Sequence, residues 1–146
     1  MSSHLLALLL TALGVAGLAQ ADVSSLAEIE ARNGVALSAD ELQKVIPGAK
    51  VVNHAPNGDT RVWTNKLDGT LVASTDARGG TNSGGQRLQS AEGSWRIEHG
   101  AYCVKMQWRR VEEQWCRHIY KIGDKYYGVP ARPGSRRRVL EFELSK

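Results

Sequence analysis

The sequence predicts a mainly β protein, an antiparallel meander closing into a small barrel or half-barrel of about eight strands with a short N-terminal helix. Three observations carry this. Beyond Gly48, turn signals recur roughly every eight to twelve residues: Pro56-Asn57-Gly58-Asp59, Asp68-Gly69, Gly93, His99-Gly100, the polar run Arg109 to Glu113, Gly123-Asp124 and Pro133-Gly134. The runs between them are short and rich in Val, Thr, Trp and Tyr. Apolar and polar residues alternate within them. Trp95 and Ile97 alternate with Arg96 and Glu98, Tyr102, Val104, Met106 and Trp108 with Cys103, Lys105 and Gln107, and Leu140, Phe142 and Leu144 with Glu141 and Glu143. Such one-sided strands must bury their apolar face, by stacking as two sheets or by curling into a barrel.

At 146 residues and 15.9 kDa the chain has room for one domain, and 42% apolar with 23% charged residues is an ordinary globular balance. Residues 1–21 read as a signal peptide. An apolar stretch from Leu5 to Leu18 closes on Ala19-Gln20-Ala21, the small-x-small pattern of a cleavage site, which leaves a single domain over 22–146. Ser25 to Asn33 reads as a first short helix. Ser38-Ala39-Asp40-Glu41 is a capping box with Leu42, Val45 and Ile46 at helical spacing behind it, so a helix is expected over about 38–46, stopped by Pro47-Gly48. Strands follow near 49–54, 60–65, 70–75, 94–98, 101–108, 114–122, 125–129 and 138–144. The inner face of the sixth is undecided, because Cys116, His118, Tyr120 and Ile122 compete with Trp115 and Ile119 for it. The polar stretch Asp76 to Glu92, with four glycines, reads as a long loop.

Export governs the two cysteines. In an oxidising compartment Cys103 and Cys116 are most simply one disulfide. A hairpin folding symmetrically about Arg109 and Arg110 sets them directly opposite each other, near bonding range. Neither a C-x-x-C nor an H-x-x-x-H spacing is present, so no metal site is expected.

Three features in order, Leu37-Ser38-x-x-Glu41-Leu42, Asp68-Gly69-Thr70, and Gly93-x-Trp95-x-Ile97 leading to Cys103, Cys116 and Gly123-Asp124-Lys125-Tyr126-Tyr127, resemble the small exported proteobacterial proteins grouped as a domain of unknown function. The resemblance covers most of 37–128. It implies a bacterial envelope setting and a β-rich fold, and it supplies no catalytic residues.

Charge is distributed unevenly. Residues 22–94 carry a net −2 and residues 95–146 a net +6, which together give the chain's +4. Arg132, Arg136, Arg137 and Arg138 cluster near the C-terminus, and Lys105, Arg109, Arg110 and Arg117 gather around the disulfide hairpin. Outside the cytosol nucleic acid is not the partner to expect. The available polyanions are acidic glycan, lipid phosphate headgroups and acidic clefts of envelope proteins. Candidate ligand-binding residues are therefore Arg109, Arg110, Arg117, Arg136, Arg137 and Arg138. Tyr126 joins them, because Tyr126 and Tyr127 point to opposite faces of one strand and one of the two is expected to be exposed. The other aromatics, Trp63, Trp95, Trp108, Trp115, Tyr102 and Tyr120, read as core.

Catalytic signatures are lacking. Downstream of the leader there are only His54, His99 and His118, with no H-E-x-x-H and no G-x-S-x-G, and neither Ser83 nor Ser94 has a base nearby in sequence. The stretch Gly80 to Arg87 has the glycines of a phosphate loop, but Gln86 and Arg87 stand where Lys and Ser/Thr are needed. No catalytic residue, cofactor or metal is expected. Two functions follow: a periplasmic or secreted non-catalytic barrel that binds an anionic envelope ligand such as acidic glycan or lipopolysaccharide, or a protein-directed inhibitor or immunity-type partner of an envelope enzyme. A glycosidase using paired carboxylates ranks third.

Overall fold

A computed structural model describes residues 22–55, 58–77 and 87–146. The leader expected over 1–21, and residues 80–86 of the glycine-rich stretch, lie outside the described residues. Two short helices precede the sheet, α1 (Leu26–Ala31) and α2 (Ala39–Val45), with the two-residue strand β1 (Val35–Ala36) between them. Then come β2 (Lys50–His54), β3 (Thr60–Asn65), β4 (Thr70–Ala77), β5 (Arg87–Glu98), β6 (Ala101–Gln107), β7 (Glu112–Ile122), β8 (Lys125–Pro130) and β9 (Leu140–Ser145). Every pairing is antiparallel. Strands β2 to β8 pair in chain order, and β9 closes the ring between β8 and β2. The protein is a closed eight-stranded barrel, and β1 is one extra strand on the stretch of β7 that β6 leaves free.

The second helix begins where its capping box predicts, and the first turns out to be capped in the same way. Ser25 and Ser38 each accept the amide of the residue three ahead, Glu28 and Glu41, whose carboxylates reach back to the serine amide. These bonds hold both carboxyl groups below the usual glutamate range. The β5–β6 hairpin turns on His99 and Gly100, both at positive φ (50° and 70°), the primed turn that suits twisted strands and favours glycine at its second position.

The barrel interior is packed with side chains. Trp63, Tyr102, Trp115 and Phe142 meet with ring centroids 5.6 to 6.1 Å apart, surrounded by Val51, Leu71, Val104, Met106 and Ile119. Helix α2 plugs one end with Leu42 and Ile46, both almost completely buried. Burying each large apolar side chain contributes about 1.5–3 kcal/mol, so the filled interior is the fold's main source of stability. A second cluster lies outside the wall. There Val23 and Ile29 of the α1 segment cover Tyr127, Tyr120, Ile122, Val129 and Val139.

The sequence expectation needs two corrections here. The polar run 87–92 is strand, not loop: β5 starts at Arg87 and pairs with β4 from Ala77↔Arg87 to Thr70↔Ser94. Ser90 and Glu92 are exposed on the outer face while Ala91 is buried on the inner one, and small or polar side chains hid that alternation. Nor is either tyrosine of the Tyr126-Tyr127 pair left bare. Tyr127 is buried under α1, and Tyr126 is half-buried against the main core, because the outer face of β7 and β8 is itself covered.

Cys103 and Cys116 pair directly across β6 and β7 and form the disulfide, with Cα atoms 4.0 Å apart. Their side chains project to the outer face. That register decides the inner face of β7, since their neighbours across the strands, Tyr102, Val104, Trp115 and Arg117, must then point into the barrel.

Candidate functional site

Because neighbouring strands alternate in direction, connections 66–69, 99–100 and 123–124 share the end plugged by α2, and connections 108–111 and 131–139 share the other. The α2 end is tied shut by Asn65, whose amide nitrogen donates to Ala49 O at 2.9 Å and whose Nδ2 donates to Ile46 O at 3.2 Å. The other, hereafter the loop end, collects the arginines. Arg109 and Arg110 are exposed in the β6–β7 turn, Arg132, Arg136, Arg137 and Arg138 are exposed in the β8–β9 loop, and Arg61 starts β3.

A carboxylate closes the top of the interior at this end. Glu113 faces inward from β7 and accepts both oxygens' worth of bonds from Arg61 Nη1 (2.9 and 2.7 Å), together with Trp108 Nε1 and Trp115 Nε1 at 3.2 Å each. The Arg61 guanidinium also stands over the Trp108 ring, 5.6 Å from its centroid. With its lone pairs answered by four donor contacts, Glu113 is a structural clamp.

Four residues further along the same inner face is Arg117, only 4% exposed. Gly128 leaves room for it, since a Cβ there would lie 2.9 Å from Arg117 Cδ and 2.5 Å from the Phe142 ring. Arg117 Nη1 donates to Gly128 O at 2.9 Å and to Arg138 O at 2.7 Å, and its guanidinium sits over Trp115. Its Nε has no hydrogen-bond partner, and none of the ion pairs among the described residues includes it. Burial, reinforced by the like charge of Arg137 and opposed by Glu113, lowers its pKa to about 10. Arg117 is thus a buried cation that straps the β8–β9 loop to the wall, not the surface ligand group expected from sequence. The reason is the register set by the disulfide.

The same loop walls a cavity of about 610 Å³ against the upper part of β7. Gln114, Trp115 and Cys116 form one side, and Pro130, Arg132, Pro133, Gly134, Ser135 and Arg137 the other. Arg137 Nη1 crosses it to donate to Gln114 O at 3.0 Å, and Ala131 N donates to Cys116 O at 3.0 Å. A cavity of this size is in the range of ligand pockets, roughly 300–1,000 Å³.

Of the expected ligand residues, Arg137 lines this slot. Arg109, Arg110 and Arg136 stand exposed at the same end. Arg138 turns instead toward a second hollow beside His54, Glu141 and Glu143. Tyr126 lies at the α2 end, with Lys121 Nζ 5.6 Å from its ring centroid, so it is separate from the arginine cluster. Sequence reasoning passed over Glu113, Gln114 and Ser135. For Glu113 a signal existed: once Cys116 faces out, Glu113 shares the inner face of β7 with Trp115. Among the described residues no three His, Cys, Asp or Glu side chains converge into a metal-binding group, and no helix is long and apolar enough to cross a membrane.

Fold and site define a small closed β-barrel with a packed interior and a basic slot on one rim. No family model, no curated protein and no solved structure matches the chain, so its activity has to be read from that rim.

Proposed function

We propose that the chain is an exported, non-catalytic barrel module that holds an anionic ligand of the bacterial envelope, such as acidic glycan or lipopolysaccharide, at its loop end. The observation that carries this is the convergence of Arg132 and Arg137 on one concave slot, with Arg109, Arg110 and Arg136 exposed at the same end of the barrel and the buried charge of Arg117 on the adjoining inner face of β7. The disulfide favours an oxidising setting, the periplasm or outside the cell. Val23, buried under α1, gives a chain cut after Ala21 an anchor at its second residue. The small exported proteobacterial family suggested by the sequence motifs remains part of this reading.

The test is binding of lipopolysaccharide and of polygalacturonate across a salt series. Affinity should fall steeply as salt rises, and neutralising Arg132 and Arg137 together to Gln should weaken it at least about tenfold, while Tyr126→Ala leaves it unchanged. Binding unaffected by both the double substitution and salt would remove the proposal. A second reading, a partner or inhibitor of an envelope protein, is favoured by one feature of the same slot, the backbone edge of β7.

A further inference from the structure

The barrel is sealed between β7 and β8 only as far as the pair Arg117↔Pro130. Strand β7 continues to Glu112, with β6 on one side, while among the described residues its other edge is met by Ala131 at Cys116 and, through a side chain, by Arg137 at Gln114. The register says which groups face that edge. Cys103 and Cys116, with Cα atoms 4.0 Å apart, are a close, non-hydrogen-bonded pair, so by alternation Lys105↔Gln114 and Gln107↔Glu112 are too. The peptide groups of Gln114 and Glu112 therefore point away from β6, and those of Gln114 point into the slot. Both residues are exposed, and Arg137 Nη1 occupies the Gln114 carbonyl in the way a neighbouring strand's N–H would.

We propose that this slot is a strand-docking groove for an extended acidic peptide of a partner protein. The inference rests on the second reading above, that the ligand is a protein. An incoming strand antiparallel to β7 donates an N–H to Gln114 O and accepts from Gln114 N–H, displacing the Arg137 guanidinium, which is then free to pair with an acidic side chain of the peptide alongside Arg132. Ser135 offers a hydroxyl on the same wall. The two arginines select the partner. A second copy of this chain would bring its own Arg132 and Arg137 into the slot, and like charges at that distance repel, whereas alternating carboxylates complement them. Polygalacturonate satisfies the arginines but has no regularly spaced backbone amides to answer the edge.

The probe is a short capped peptide of alternating Glu and Val, compared with the same peptide N-methylated at every second amide in either phase, and with polygalacturonate. Calorimetric titration of the oxidised full-length mature protein should show saturable binding of the plain peptide. One phase of N-methylation should cost at least about tenfold, and the other phase little. Gln114→Pro removes the edge N–H without touching the β6 ladder and should weaken the peptide at least about tenfold, leaving polygalacturonate binding as it was. If Gln114→Pro does not fold, the two N-methyl phases decide. Equal binding of plain and methylated peptides would overturn strand docking and leave an anion-binding end. Binding of polygalacturonate without the peptide would overturn it in favour of the glycan reading. Binding of neither would overturn both.

Discussion

Removing a single oxygen from the barrel core, Tyr102→Phe, is expected to cost about 3 kcal/mol. The Tyr102 hydroxyl accepts from Trp63 Nε1 at 2.8 Å and donates to Asn65 Oδ1 at 2.9 Å, and Asn65 in turn ties down the end of α2 through Ile46 O. All three side chains are essentially buried. Phenylalanine keeps the edge-on contact with Trp115 (5.6 Å between centroids) and the volume of the ring, so the packing change is small. What changes is that an indole N–H and an amide oxygen lose their partner where water cannot replace it. Each orphaned group costs about 1–3 kcal/mol, less the relief of no longer burying a hydroxyl. The assay is urea unfolding followed by tryptophan emission. The midpoint should fall with the slope unchanged, and a loss below about 1 kcal/mol would refute the network's role.

The same pair of proteins gives an alkaline signature. Burial raises the Tyr102 pKa above its ordinary value of 10.0, against the lowering effect of its two hydrogen bonds. In the unfolded chain the phenol ionises near pH 10, while in the folded protein it stays protonated. The folded state then binds more protons, so this contribution is fully present below pH 10 and is lost above it, by up to about 1.4 kcal/mol per pH unit. Tyr102→Phe cannot show that loss. The stability gap between parent and variant should narrow between pH 10 and 11, and a constant gap would contradict the assignment.

Two other perturbations test the frame around the slot. Replacing both Cys103 and Cys116 by Ser should lower stability by about 3 kcal/mol, because the bridge closes a short loop in the unfolded chain. The check is denaturant unfolding with and without reductant, in which the variant should match the reduced parent. Glu113→Ala strands Arg61, Trp108 Nε1 and Trp115 Nε1 together and should lower the melting temperature by about 10 °C, whereas Glu113→Gln, which keeps an acceptor oxygen, should lower it by roughly half as much. Equal shifts for the two substitutions would show that the carboxylate is not the acceptor holding those donors.

Much of the barrel was legible because its signals are local. The capping box at Ser38, the hairpin turns and the clean alternation of 101–107 and 140–144 depend on residues within a few positions of one another, and symmetric folding about Arg109 and Arg110 sufficed to align Cys103 with Cys116. Strand β5 escaped at its start because Arg87 to Glu92 owes its extended form to the ladder with β4, a non-local cause acting on residues with little strand preference. The site was half legible. A C-terminal excess of arginine pointed to the loop end, but composition cannot separate a surface cation from a buried one. Arg117 and Arg137 look alike in sequence. The disulfide register turns Arg117, on β7, into the barrel, whereas Arg137 lies exposed in the β8–β9 loop.

That register also decides where a ligand can go. Large ligand-carrying barrels leave their interior open, yet here four aromatic rings, the Glu113 clamp at one end and Leu42 with Ile46 at the other fill it. Recognition is thereby displaced from the lumen to the rim. There the paired register of β7 with β8 ends at Arg117↔Pro130, one further bond runs from Ala131 N to Cys116 O, and the β8–β9 loop then swings clear and is held back to the wall by Arg117 and Arg137. The two arginines do opposite work with the same group. Arg117, buried and bonded to loop carbonyls, fixes the far wall of the slot. Arg137, exposed and bonded to one strand carbonyl, is the contact that an incoming chain can replace at least cost, since its guanidinium is released toward solvent and new carboxylates while the wall behind it stays in place.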